Sequence, residues 1–301
     1  MSAPPATPAP SSPLLRADGR LRRRKVVNRA MEALATLAAL LAVGVLAVVI
    51  VSVLIKGLSA IDLDFFLHSE VPFGEKGGGI ANAIVGTLVL VALASAMAIP
   101  VGILIAVHSS QFARPHTAAA IRFVLDILNG VPTIVTGIFI FGLLVIGHQQ
   151  SGWAGAIALA IIMLPIVARA CHEVLALVPD TLKEGGLALG ATRWRTVLRI
   201  VLPTAAGGMI TGSLLAIARV AGETAPLLFT CAIVGPGVQT NPAQALASIP
   251  VRIFELAESP SKEQHAEAWA AALLLIAAVL VLNVLARTLF GRSQARIGST
   301  R

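Results

Sequence analysis

Charge is scarce in this sequence. Only 13% of its 301 residues are Asp, Glu, Lys or Arg, against 56% hydrophobic, and the mean hydropathy is +0.86. A soluble domain of this length needs far more polar surface, so a bilayer has to supply the missing apolar environment. Strict apolar/polar alternation is also lacking, and the apolar runs reach about 20 residues or more, which excludes a membrane barrel. Hydrocarbon offers the backbone no hydrogen bonds, so the spans must be helices. Cysteine is scarce. Cys171 and Cys231 both stand inside apolar runs, where they read as small core residues and not as a disulfide or metal ligands. No G-x-x-x-x-G-K-[ST] string occurs, and the one Gly-rich run, 74–79 (GEKGGG), precedes an apolar segment. It is no cradle for a nucleotide.

What is present divides into a tail and a membrane domain. Residues 2–13 are a Pro/Ala/Ser stretch with too little apolar content to fold, and Arg20, Arg22, Arg23, Arg24, Lys25 and Arg29 follow it. The expectation is a disordered basic cytoplasmic tail over 1–30, a transmembrane domain over 31–290 and a second cytoplasmic tail over 291–301. The first apolar run is too long for a signal peptide and lacks a tidy cleavage site, so it reads as an uncleaved span. Hydropathy draws six transmembrane helices: 33–55, 81–107, 123–147, 153–178, 204–234 and 266–290. The third contains Asn129, Gly130, Pro132 and Gly137, which at membrane depth mark close packing or irregular backbone beside a cavity.

The net charge of +8 does not point to nucleic acid, because the basic residues flank the apolar runs and form no stripe on a soluble face. Of the 23 Lys and Arg, seventeen fall on one side if the N-terminus is inside. Four fall on the other: Lys56, Lys76, Arg252 and Lys262. The excess predicts both termini in the cytoplasm. Trp153 and Trp269 stand near the outer ends of their spans, where aromatic rings favour the headgroup layer. The outer loops carry Asp62, Asp64, Glu70, Glu75, Glu255, Glu258 and Glu263, an acidic rim better suited to a docked carrier protein than to a free anion.

The remaining two basic residues lie inside spans. Arg169 precedes Glu173 and Arg219 precedes Glu223, each pair at i,i+4 and so on one helix face. An Arg at mid-helix costs roughly 2.5–3.5 kcal/mol to insert. The two spans run in opposite directions, so Glu173 lies about 6 Å to one side of Arg169 and Glu223 about 6 Å to the other side of Arg219. An anion could take over each guanidinium from its Glu, and guanidinium forks match tetrahedral oxyanions. The same pairs could also simply fasten the bundle. Pro226 should break the fifth span just past Glu223, leaving an irregular turn that Thr224 could help satisfy.

The loop over 179–203 is the most specific local feature. Asp180 or Thr181 can cap a short helix with Glu184 in its first turn, and Gly190 would end it in a left-handed turn. A second helix with Arg193, Arg195 and Arg199 leads to Pro203. The spacing resembles the EAA motif of ABC importer permeases, E-A-A-x3-G-x9-I-x-L-P. Glu184, Gly190, Ile200, Leu202 and Pro203 match, while Gly185 and Gly186 replace the two alanines at a cost of about 1 kcal/mol each in helix propensity.

Longer strings narrow the resemblance. Segments 78–87 (GGIANAIVGT), 128–135 (LNGVPTIV), 187–195 (LALGATRWR) and 216–228 (AIARVAGETAPLL) resemble the PstA family, permease subunits of bacterial phosphate importers. The likeness covers roughly 77–287. It implies an all-α membrane protein of the type I ABC importer (MetI-like) permease fold that catalyses no bond change. It also implies a heterodimer with a PstC-like permease, a PstB-like ATPase dimer holding ATP and Mg, and a periplasmic or lipid-anchored phosphate-binding protein. Arg169, Glu173, Arg219 and Glu223 are then expected on the phosphate pathway. The loop residues Glu184, Gly185, Gly186, Gly190, Arg193, Ile200, Leu202 and Pro203 are expected to couple to the ATPase. No catalytic or metal-binding residue is expected in this chain. Permeases for sulfate or molybdate, and a proton-coupled carrier using Glu173 and Glu223, are the alternatives.

Overall fold

The computed structural model of the chain describes residues 18–70, 78–232 and 237–298. The Pro/Ala/Ser stretch, Glu75 and Lys76 with the start of the glycine run, and the last two residues of the fifth expected span lie outside the described residues. Two compact units are present, 1–52 and 53–301. The first consists of most of α1 (Asp18–Leu58), a 41-residue helix with Lys56 in its last turn. At 1.5 Å per residue it is about 60 Å long, twice the hydrocarbon thickness. It begins well before residue 31, the expected end of the tail. Residues 18–30 are rich in Arg and Lys, hold no proline, and continue the helix beyond the apolar stretch.

In the second unit every regular element among the described residues is a helix. A short α2 (Leu63–Leu67) is capped by the Asp62 carboxylate, which accepts from the Phe65 amide at 2.8 Å. Then come α3 (Ala81–Val107), α4 (Pro115–Gly130), α5 (Thr133–Ile140) and α6 (Gly152–Ala176). The loop helices α7 (Asp180–Ala188) and α8 (Arg193–Thr196) lead into α9 (Leu202–Val220). The chain closes with α10 (Ala225–Thr230), α11 (Ile249–Glu258) and α12 (Lys262–Gly298). Single π turns extend α3 to Phe112 and α5 to Val145, and join α8 to α9.

Five helical stretches are long and apolar enough to cross a membrane, and a sixth crossing is the pair α4 and α5, bent by 90°. The expected third span is therefore two helices. Val131 precedes Pro132, whose ring disfavours helical backbone one residue earlier, and Val131 is extended at φ −69°, ψ 127°. The fifth span breaks as well, but over 221–224, upstream of Pro226. A proline ring collides with the carbonyl four residues back, here Gly222, so the helix ends before it and Pro226 takes the second position of α10, where a missing N–H costs nothing. The freed groups are taken up by a tight turn, with the Gly222 amide on the Arg219 carbonyl at 3.3 Å and the Glu223 amide on the Val220 carbonyl at 3.1 Å. Thr224 contributes its backbone carbonyl to the amides of Leu227 and Leu228; its hydroxyl makes no capping bond.

Among the spans of this unit α6 is the most enclosed, 67% of its most apolar window being buried against 33% or less in the others. Ala156, Leu159, Met163, Val167 and Cys171 of α6 pack with Leu90, Ala94 and Ala98 of α3 and with Ala216 and Val220 of α9. The two half-spans α5 and α10 meet where Gly137 faces Pro226: a methyl added at Gly137 would lie 2.6 Å from the Pro226 Cα.

Arg252 of α11 gathers Glu255, Glu70 and Glu267 at 3.5, 3.7 and 3.9 Å. Burial pushes the Glu255 carboxyl above its usual range, with Glu70 adding to the rise and Arg252 opposing it. The expected acidic rim is thus largely occupied in structure: Asp62 caps α2, Asp64 meets His68 at 3.3 Å, and Glu70 and Glu255 hold Arg252.

Candidate functional site

Arg219 stands in the last turn of α9, immediately before the break of the fifth span. It lines a cavity of about 60 Å³ together with Leu128 and Asn129 of α4, Val131 between α4 and α5, Thr133 and Thr136 of α5, and Ile161, Ile162 and Ile166 of α6. At ~30 Å³ per molecule that is room for about two waters. The breaks of both irregular spans therefore converge on one polar hole. Glu223 lies in the turn itself, its side chain 15% exposed, with a carboxylate oxygen 3.9 Å from the Arg219 guanidinium. That is an ion pair but too long for a hydrogen bond.

Arg169 is held differently. Its Nε donates to Glu173 at 3.3 Å, as the i,i+4 spacing leads one to expect. Its Nη1 donates to Asp126 of α4 at 2.7 Å, a shorter bond and one between two helices. Asp126 was not among the residues the sequence pointed to. Its signal is an acid inside the third apolar run, but its partner lies 43 positions away, so no local spacing reveals the pair.

The two guanidiniums are not level. Arg219 shares its cavity with Ile162 and Ile166, which precede Arg169 on α6 by seven and three residues, or roughly one to two helical turns. Arg219, Glu223, Asp126, Arg169 and Glu173 form two stations stepped along one side of α6. Arg169, Asp126 and Glu173 have side chains 57%, 58% and 68% exposed on this chain's surface.

The loop over 179–203 forms two short helices, as expected, with three changes of detail. Pro179 is the N-cap of α7 and makes no side-chain bond; Asp180 is the first helical residue and its carboxylate takes Lys183 at 2.9 Å. Glu184 comes in the second turn and is exposed. Gly190 adopts φ +81°, with its amide on the Leu187 carbonyl and the Ala191 amide on the Gly186 carbonyl, the paired bonds of a Schellman ending. Gly186 is buried under Ile200, whose Cδ1 would lie 2.7 Å from an added methyl, while Gly185 has nothing within 4 Å. The smallness of Gly186 thus seats α7 on the π turn that contains Ile200. Arg193 lies 5.8 Å over the Phe112 ring, and Trp194 meets that ring at 5.6 Å. Leu202 and Pro203 open α9. The loop is therefore bolted both to the start of α9 and to the end of α3.

Comparison with known proteins fits this architecture. The family described as binding-protein-dependent transport system inner membrane component matches residues 98–299. The fold is shared with a bacterial ABC transporter for the acidic polysaccharide alginate, at a TM-score of 0.61 and 18% identity over 90% of this chain and 99% of that one. It is also shared with the MetNI methionine ABC transporter, at a TM-score of 0.55 and 16% identity over 71% and 93%. The chain belongs to this family of ABC importer permeases and, within it, to the PstA phosphate transport permeases. It is 41% identical over 248 residues to phosphate transport system permease protein PstA of Yersinia pestis, covering 82% of this chain and 84% of that protein. With PstA of Pasteurella multocida it is 38% identical over 89% of this chain and 95% of the relative.

Proposed function

We propose that this chain is the membrane permease subunit of an ATP-driven phosphate importer, supplying half of the translocation pathway and catalysing no bond change. The observation that carries the reading is Arg219 opening into a polar cavity at the point where two spans break. Irregular backbone at membrane depth is tolerated only where protein or water covers it, and a guanidinium there is matched to the oxygens of a tetrahedral anion. Arg169, Asp126 and Glu173, more than half exposed on this subunit, cannot face hydrocarbon at roughly 2.5–3.5 kcal/mol for each charge. A second, PstC-like permease covers that face, and the pathway runs between the two. Phosphate itself rests on membership among the PstA permeases; sulfate or molybdate would satisfy the same arginines.

The asymmetry of Lys and Arg puts the loop over 179–203 in the cytoplasm. There Glu184, Arg193 and exposed apolar side chains such as Leu187 and Leu189 meet a separate PstB-like ATPase dimer. ATP and Mg are held by that partner, since no segment of this chain fits a nucleotide. A phosphate-binding protein delivers substrate to the opposite face. ATP-driven closure pushes on α7 and α8 and tilts α9 and α3, switching access to the arginines. A proton-coupled carrier has no motor to dock, so the loop speaks against it. Arg219→Gln should abolish phosphate uptake, a loss of about a hundredfold or more once the anion has no guanidinium to meet in the cavity, while the importer still assembles. Uptake at the normal rate in that variant would remove Arg219 from the pathway.

A further inference from the structure

Helix α4 is loosely anchored in the bundle. Of its sixteen residues only Ala118 and Leu125 are buried. An apolar trough of about 570 Å³ separates it from α3, with Val101, Leu104 and Ile105 on one wall and Ile121, Val124 and Leu128 on the other. Its far end is a hinge: the 90° bend at Val131 and Pro132 interrupts the helical ladder, leaving a 3.4 Å bond from the Val131 amide to the Leu128 carbonyl. Among the described residues, one ion pair joins α4 to another element, the 2.7 Å bridge from Asp126 to Arg169 of α6.

We propose that Asp126 is the exchangeable counter-ion of Arg169. In the unloaded pathway their bridge ties α4 to α6, and phosphate unties it by taking over the guanidinium. The proposal rests on Arg169 lining the pathway. Arg169 is already matched by two carboxylates, so an entering anion has to displace one of them and repels both. Glu173 rides on the same helix as Arg169, and its displacement moves nothing. Asp126 rides on α4, which has slack on its α3 side and a hinge at its end. Once released it is not left without a cation. Arg122 is exposed and stands four residues earlier on the same helix, within side-chain reach of Asp126. Asp126 therefore exchanges Arg169 for Arg122, and α4 swings about residues 131–132 without leaving a charge bare. The exchange gives the ATPase complex a way to register that phosphate has reached Arg169.

The test uses the assembled importer in proteoliposomes, with its ATPase and binding protein. Asp126→Asn should raise hydrolysis in the absence of phosphate several-fold, bring the ratio of phosphate-stimulated to basal hydrolysis towards one, and lower phosphate moved per ATP; Asp126→Glu should keep the wild-type ratio. A wild-type ratio in Asp126→Asn, when Arg169→Gln abolishes uptake, overturns the latch and leaves the pathway standing. Normal uptake in Arg169→Gln overturns the pathway role of Arg169, and the latch with it. If Asp126→Asn does not assemble, the exchanged pair Asp126→Arg with Arg169→Asp decides. Restored assembly with low basal hydrolysis supports an ionic tie, whereas failure to assemble or high basal hydrolysis overturns it.

Discussion

Arg169 and Arg219 stand one to two helical turns apart along α6 and are held in opposite ways. Arg169 is clamped by two carboxylates, at 2.7 Å from α4 and 3.3 Å from its own helix. Arg219 has one carboxylate, at 3.9 Å and within its own broken span, and a cavity in front of it. In the proposed orientation the loosely held arginine faces the side from which substrate comes, and the clamped one faces the cytoplasm. Two like charges on the proposed route are thus made unequal by their counter-ions. The first is set to accept an anion, and the second must be opened before it can.

That inequality can be attacked from each end. The largest effect is expected from Arg169→Gln, which removes the cation held between Asp126 and Glu173. Uptake should fall about a hundredfold or more, and thermal stability in detergent should fall as well because α4 loses its tie. Arg219→Gln should cost uptake but not stability; equal stability losses would erase the distinction drawn here. Gly190→Val comes next. A β-branched residue at φ +81° costs about 1–2 kcal/mol in backbone strain. It tilts the motor-facing loop, so hydrolysis should continue while uptake per ATP drops at both stations alike. The smallest effect belongs to Glu223→Gln. A 3.9 Å contact is worth about 1 kcal/mol or less, so uptake should change by about fivefold at most. A Glu173→Gln change of the same size would show that contact length does not rank the two stations.

Much of the frame was legible because hydropathy and proline act locally. The second span runs over 81–107 in the sequence and α3 occupies Ala81–Val107; α6, Gly152–Ala176, differs from its expected span by one or two residues. Gly190 was legible because one residue type tolerates that backbone. Pro132 and Pro226 each announced a break, yet the place of the second follows from where the ring's collision falls, four residues upstream. The Asp126–Arg169 bridge was not legible, since it depends on how α4 lies against α6 after a right-angle bend that no spacing encodes. The same holds for Phe112 under Arg193 and Trp194: three residues of two distant segments form one joint only once α3 and the loop have been brought together. Residues 18–30 were misjudged for a different reason. Composition measures the apolar run, whereas a helix, once nucleated, continues through charged residues that favour it.

The contact between Gly137 and Pro226 has an evolutionary corollary. The two half-spans meet at a position with no side chain, so a larger residue at 137 would prise α5 from α10. A lineage adapting this pathway to a different oxyanion would find that joint closed to it. Variation has to be explored at Asn129, Thr133 and Thr136 around the cavity, where a hydroxyl or amide can be exchanged while the joint stays shut. Substrate preference among such permeases should therefore drift along one wall of the cavity, with residue 137 frozen behind it.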